Sequence, residues 1–444
     1  MSSEWTWKRL GDHCSKIGSG STPRGGKDSY LDSGPFTLIR SQNIYNEGFS
    51  PGGLAFISDE QAKKLDGVAI EDKDILLNIT GDSVARVCLA PAKYLPARVN
   101  QHVAIIRPEA STFDSRFVRY FLASPIQQDF MLGLASAGAT RNALTKVMIE
   151  DFKVPCPPLH IQSGIADVLS ALDDRIALLR ETNATLEAIA QAMFKSWFVD
   201  FDPVHAKQQG RAPEGMSEAT AALFPDRFEE SELGLVPRGW KVSAMDEVSA
   251  VGIGKTPPRK EPQWFSESID DVRWVSIRDM GISGAFISQT SEYLTAESIE
   301  RFNVRQVPNN TVLLSFKMTI GRVALTDGEM TTNEAIAHFK LDEQSPLTSE
   351  FIYLHLKQFD YSTLSSTSSI ADAVNSKTVK AISILVPDSA VLQDFQDAVR
   401  PVFERIKLIQ QQAQTLATLR DTLLPRLISG QLRLPQAEAA REEA

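Results

Sequence analysis

Gly254-Lys255-Thr256 has the ending of a phosphate-cradling loop, in which backbone N–H groups and a lysine hold the phosphates of a nucleotide. That loop needs another glycine at position 249, where Ser249 stands, and Pro257 and Pro258 favour a rigid turn instead. Asp200, Asp202 and His205 form the one tight group of metal-ligand types, and the same spacing suits a capped turn that needs no ion. The histidines, His13, His102, His160, His205, His338 and His355, show no pair at ligand spacing such as HExxH. Cys14, Cys88 and Cys156, odd in number and without CxxC spacing, make neither a disulfide framework nor a zinc knuckle. Gly18-Ser19-Gly20 is too short to specify a nucleotide site, no Asn-Pro-Pro-aromatic methyltransferase loop occurs, and Pro225-Asp226 lacks a downstream Glu-x-Lys. The chain therefore reads as a non-enzyme, without a metal site or a cofactor of its own.

A length of 444 residues allows about two or three domains, and 43% hydrophobic with 23% charged residues excludes collagen-like and wholly disordered classes. No run of about 18 apolar residues occurs, and MSSEWTWKRLGDH lacks the apolar stretch of a signal peptide, which points to the cytoplasm. The balance of 46 basic to 56 acidic side chains argues against a protein that coats nucleic acid by net charge. A local basic footprint stays open.

The elements that must position any site are duplicated. At an offset of roughly 230 to 238 residues, Gly18 to Pro23 (GSGSTP) matches Gly252 to Pro257 (GIGKTP), and Ile39-Arg40 matches Ile277-Arg278. Leu76-Leu77 with Arg86-Val87 matches Leu313-Leu314 with Arg322-Val323, and Asn100 matches Asn333, all in order. Runs such as Phe36 to Arg40, Ile75 to Ile79 and Val103 to Arg107 read as strands, whereas Phe113 to Leu122 and Ser349 to Phe359 carry helical spacing. Each copy is then a mixed α and β domain.

A heptad seam follows each copy. Ile165, Leu169, Leu172, Ile176, Leu179, Asn183, Leu186, Ala190, Met193 and Trp197 alternate steps of four and three. Phe395, Val399, Val402, Ile406, Ile409, Ala413, Leu416, Arg420, Leu423 and Leu427 repeat the register. Two matched seams favour packing on each other. The expected organisation is α+β: a first domain over 1–158, a long spacer helix over 159–198, a Pro- and Gly-rich linker over 199–240, a second domain over 241–387, a second long helix over 388–430 and a frayed tail over 431–444. The simplest closure makes the helices an antiparallel coiled coil that separates the domains, with pseudo-two-fold symmetry.

The string Phe194 to His205 (FKSWFVDFDPVH), together with the repeat and the paired helices, resembles the specificity (S) subunit of type I restriction-modification systems. The likeness extends to Leu10-Gly11-Asp12 before Gly20-Ser21-Thr22-Pro23 and to Trp240-Lys241 before Gly254-Lys255-Thr256-Pro257. It also covers Arg211 to Gly215 (RAPEG), Ala221 to Pro225 (AALFP) and Leu424 to Leu432 (LPRLISGQL). The resemblance implies two target-recognition domains, each reading half of a bipartite, asymmetric site in double-stranded DNA. It also implies paired helices that set the spacing and dock two methyltransferase (modification) subunits. Restriction subunits, a translocase and nuclease, would complete the complex, and S-adenosylmethionine, ATP and Mg would serve those partners rather than this chain.

Base reading requires Arg or Lys facing guanine and Asn or Gln facing adenine. The candidates for DNA binding in the first copy are Arg24, Lys27, Arg40, Gln42, Asn43, Arg86, Arg141 and Asn142. Those in the second are Lys255, Arg259, Lys260, Arg278, Lys317 and Arg322. For any single one of them, a solvated charge or an ion pair internal to the fold is the competing assignment. For the whole chain, the competing function is a coiled-coil scaffold that binds proteins only.

Overall fold

A computed structural model describes residues 5–136, 143–364 and 374–434. It divides into two compact units, Met1–Leu178 with Ala413–Ala444, and Leu179–Gln412. The first unit holds a four-stranded antiparallel sheet in the order Cys14–Ser19, Val103–Pro108, Ile75–Asn78, Val87–Leu89. A second sheet places Phe36–Ile39 between Ala55–Ile57 and a parallel Ala97–Val99. The Ile75–Asn78 strand is wholly buried, as expected of a run of four residues with both faces covered.

The second unit repeats this order with Ala250–Ile253, Ile336–Lys340, Val312–Ser315 and Val323–Thr326, and adds Phe286–Ile287 at the edge. Its smaller sheet again contains one parallel pair, Val272–Val275 with Thr331–Thr332. Trp7–Arg9 pairs with Lys153–Pro155 in one copy, and Lys241–Ala244 with Ser383–Val386 in the other. The duplication read from short landmarks is thus a duplication of topology.

Those landmarks have a steric cause. A Cβ on Gly20 would stand 2.1 Å from the Val99 carbonyl oxygen and 2.3 Å from that of Asn100. At Gly254 it would stand 2.2 Å from the Thr332 oxygen and 2.3 Å from that of Asn333. Both glycines let the chain cross directly over a neighbouring backbone, and the next N–H in each copy bonds across, Ser21 to Val99 and Lys255 to Thr332. The backbone of Gly254-Lys255 is therefore engaged in the fold rather than shaped to cradle a phosphate.

The long helices run over Leu159–Phe198 and Ser389–Ile428, 40 residues or about 60 Å each. Pro157 and Pro158 precede the first, and Pro387 stands just ahead of the second, at places where a missing N–H costs little. Within the first unit, Ile165, Leu169, Leu172 and Ile176 are buried together with Leu416, Leu423 and Leu427. The helix segments of the second unit are antiparallel: Asn183 Nδ2 donates to the Ile406 carbonyl at 3.0 Å, and Phe194 lies 6.0 Å from Phe395. Leu179, Phe395, Val399, Ile406 and Ile409 are buried, while Leu186, Met193 and Val402 are half-buried.

Two features depart from the reading as a spacer with a linker. The helices bury a second face, including Ala166, Val168, Phe198 and Phe403, so their halves belong to the domain cores and are more than a rod. The segment 199–240 is folded: it contains helices Asp202–Gln208 and Glu218–Leu223 and a hairpin of Phe228–Ser231 with Gly234–Pro237. Phe224, Val236 and Trp240 anchor it in a cluster with Trp197, Phe198 and Phe351, which gives the FKSWF string a packing role. Of the expected tail over 431–444, residues 435–444 lie outside the described residues.

Replacing Gly20 or Gly254 by alanine should cost about 3 kcal/mol in the affected unit, because the backbone on the other side of the contact cannot yield. Urea unfolding checks this, and a change below about 0.5 kcal/mol would contradict the crossing.

His338 gives a second prediction. It is buried at the position held by Ile105 in the first copy, its ring packed against Gly252. Burial pushes its pKa down from 6.5 to about 4, so the unfolded chain takes up the proton first as pH falls. The stabilisation is present above pH 6.5 and is lost progressively from there to about pH 4, by roughly 3 kcal/mol. His338→Ile should flatten that acid slope in urea titrations across this range.

Candidate nucleic-acid interface

In each unit, turns that leave the two sheets are fastened to one another by main-chain bonds. In the first, Asn100 N–H donates to Ile39 O at 3.1 Å, Ser21 N–H to Val99 O at 3.1 Å and Ile79 N–H to His102 O at 2.9 Å. Asn78 Nδ2 adds a bond to Ser41 O at 2.9 Å. The result is one edge carrying the residues near 21, 40–42, 80–86 and 100–102. The second unit builds the same edge: Asn333 N–H donates to Val275 O at 3.1 Å, Lys255 N–H to Thr332 O at 2.8 Å and Phe316 N–H to Ala335 O at 2.9 Å.

The sequence-predicted residues divide on this frame. Arg24 and Lys27 are exposed. Arg40 is half-buried; its Nη2 donates to the Gly53 carbonyl, its guanidinium lies 5.4 Å from the Tyr30 ring centre, and its buried Nε has no partner. Gln42 is exposed and shares the Gly53 oxygen at 3.2 Å. Arg86 stacks over Tyr45 at 4.8 Å, a flat paired surface at the turn that begins at Ile79. Arg141 and Asn142 lie outside the described residues.

Asn43 is a correction. It is 0% exposed, its amide nitrogen donates to Ser50 O at 3.0 Å and Gly52 O at 3.1 Å, and its oxygen accepts from Arg40 N–H at 3.1 Å. It holds the loop that presents Arg40 and Gln42, and has nothing left for a base.

In the second unit Lys255, Lys260, Arg278 and Lys317 are exposed, with Lys317 5.5 Å over Phe316. Arg259 is exposed too, and it is already engaged: it makes a two-pronged pair with Glu292 at 2.6 and 2.9 Å and stacks on Phe265 and Trp274 at 4.2 and 4.6 Å. Glu292 holds the Arg259 charge above its ordinary pKa range, so the guanidinium is permanently charged and already neutralised. Arg322 is half-buried, with Nη1 donating to Ile277 O at 2.6 Å.

Several edge residues escaped the sequence reading. His102 is held between Thr80 Oγ1 at 2.6 Å and Gln101 Nε2 at 2.9 Å. Met318, 86% exposed with φ +59°, sits at the tip of the turn at Lys317, and Thr256 hydrogen-bonds Glu334 across the edge. The available signal was position: Gln101-His102 and Glu334 directly follow the matched landmarks Asn100 and Asn333.

The Asp200, Asp202 and His205 group is dispersed among local partners. Asp200 pairs with Lys195, Asp202 accepts from Ser196 Oγ at 2.7 Å, and His205 stacks on Phe228 at 4.7 Å. Among the described residues no three His, Cys, Asp or Glu side chains come together as a metal site.

A second polar centre ties the first domain to the helix segments of its own unit. Asp173 accepts from Tyr120 Oη at 2.7 Å, Arg119 Nη1 at 3.3 Å and Arg420 Nη1 at 2.7 Å. In the second unit Tyr353 Oη donates to Glu187 at 2.7 Å, and Lys357 pairs with the same carboxylate at 3.0 Å.

The two units match one domain family. The model of the type I restriction modification DNA specificity domain covers residues 2–188 and 237–417. The chain belongs to this family. Among specificity-domain proteins, the type I restriction enzyme HindI specificity subunit of Haemophilus influenzae is 28% identical over 89% of this chain and 94% of its own. The MjaIX specificity subunit of Methanocaldococcus jannaschii is 23% identical over 98% and 94%. The crystal structure of the type I system S subunit from M. genitalium, 16% identical, covers 96% of both chains with a TM-score of 0.53 and shares the fold.

Asn43→Ala should cost about 2 to 3 kcal/mol in thermal or urea unfolding, since it leaves the Arg40 N–H and two carbonyls without their partner. Arg24→Ala and Lys260→Ala, on exposed turns, should stay within about 0.5 kcal/mol of the parent.

Proposed function

We propose that this chain is the DNA sequence-specificity subunit of a type I restriction-modification complex, without catalytic chemistry of its own. One observation carries the reading: a specificity domain occurs twice on one topology, and the two copies present different side chains on equivalent edges. Arg40, Gln42, Gln101 and His102 offer a mixture of guanine- and adenine-type donors and acceptors. Arg278, Lys317 and Glu334 offer cations and one acceptor suited to cytosine N4–H₂. Unlike edges would address unlike half-sequences, giving a bipartite and asymmetric site in double-stranded DNA.

The assignment supplies the rest of the assembly: two modification subunits that bind S-adenosylmethionine, and restriction subunits that use ATP and Mg, all working in the cytoplasm. An acidic chain with only local cations suits a complex in which partner subunits complete the positive surface around the duplex. No described helix is long and apolar enough to cross a membrane.

Methylome sequencing of cells carrying this chain with its modification partner should reveal one split motif, which then serves as probe. Binding of the assembled complex should fall steeply with added salt. Arg278→Ala should weaken binding to the motif by about 1 to 3 kcal/mol if it reads a base, leaving unrelated DNA unaffected, and should weaken both alike if it holds phosphate. No motif, and association with proteins that salt leaves unchanged, would favour the scaffold.

A further inference from the structure

The turn between Val312–Ser315 and Val323–Thr326 in the second unit and the turn between Ile75–Asn78 and Val87–Leu89 in the first are closed in the same way. Ser315 N–H donates to Arg322 O at 2.9 Å and Gly321 N–H to Ser315 O at 3.0 Å. Correspondingly, Asn78 N–H donates to Arg86 O at 2.8 Å and Ala85 N–H to Asn78 O at 2.9 Å. Counted from the last paired leucine, Leu314 or Leu77, the fourth residue is Met318 in the second unit and Gly81 in the first. Both have positive φ, +59° and +77°. The backbone at this place favours glycine, and the second unit puts a methionine there.

That methionine contributes little to folding. It is 86% exposed, so its side chain buries almost no apolar area, while a left-handed backbone is costly for any residue with a Cβ. Thr319 N–H bonds back to Lys317 O at 2.7 Å, closing three residues around Met318 in the rare, strained γ-turn of positive φ. Ser315 Oγ donates to Thr319 O at 2.6 Å and keeps the tip in this shape. Lys317 and Thr319 on either side are exposed as well. A side chain that is apolar, held outward at a backbone cost and unused by the core points to something that meets the edge from outside.

We propose that Met318 is a specificity-determining residue of the second domain, whose terminal S-methyl group packs on the C5-methyl group of a thymine in the major groove. The proposal rests on the DNA-reading function above. The thymine methyl is the one apolar group among the hydrogen-bonding groups that base pairs present in that groove, so it is the partner an apolar side chain can select. The neighbouring turn suits the same groove: it is fastened to this one by Phe316 N–H and Ala335 O at 2.9 Å, and it carries Glu334, suited to the major-groove donor cytosine N4–H₂. In the first domain Gly81 brings no side chain to the equivalent place, so the thymine contact belongs to the second domain alone.

The test is binding of the assembled complex to its methylome-derived motif with each thymine in turn replaced by uracil, which lacks only the C5-methyl group. One replacement should weaken binding by the parent about fourfold, the contribution of one buried methyl. Met318→Gly, which copies the first domain, should bind the unmodified motif more weakly and should no longer distinguish that thymine from uracil. Its urea midpoint should match the parent's, since relief of the positive φ offsets the added freedom of the unfolded chain. No uracil effect in the parent, or an effect that persists in Met318→Gly, overturns the proposal and leaves the DNA-reading function standing. A variant weakened alike on every thymine and uracil duplex, in which the parent shows no uracil effect, marks a wedge between base pairs and also overturns it. If no motif is found, the DNA-reading function falls and the proposal falls with it.

Discussion

A helix of forty residues with an apolar stripe cannot remain alone in water, and burial of the two heptad seams is the constraint on which the rest of this molecule depends. Each long helix serves both units: residues 159–178 enter the first core and 179–198 the second, while 389–412 enter the second and 413–428 the first. The first unit is assembled from two separate stretches of the chain and the second takes in the end of one long helix and the start of the other, so neither completes its core from its globular part alone. The second buried face, with Phe198 and Phe403, fixes the rotation of each helix against its domain, as the seam fixes it against its partner.

Polar groups refine what the apolar seam leaves loose. Leucine layers tolerate a shift by one heptad, but Asn183 reaches one carbonyl, that of Ile406, and Asp173 must meet Arg420 to balance its charge. Breaking such a partly buried pair leaves a charge uncompensated, so the wrong register is penalised more than the right one is rewarded. The tyrosines Tyr120 and Tyr353 extend the same logic from helix to domain, each donating its hydroxyl to a carboxylate on a long helix.

The duplication and both long helices were legible in the sequence, because periodicity is a local signal repeated many times. The turn residues were only half legible. Gln42 and Asn43 are adjacent amides, and the chain's direction at the end of the Phe36–Ile39 strand sends one outward and the other inward, which composition cannot reveal. Arg259 pairs with Glu292, 33 residues away, a partner that no local pattern indicates. The segment 199–240 looked like a linker because Phe224, Val236 and Trp240 follow no period; they are anchors set by the surface they land on.

The edges in both units are held by main-chain hydrogen bonds and by a glycine crossing, and this separates shape from message. Ser21 can bond to Val99, and Asn100 to Ile39, whatever side chains stand at 42 or 101. Point changes on an edge therefore leave the scaffold intact, and one copy can drift while the other keeps its preference. New vocabularies are open to such a protein at little structural risk, since the grammar is written in the backbone.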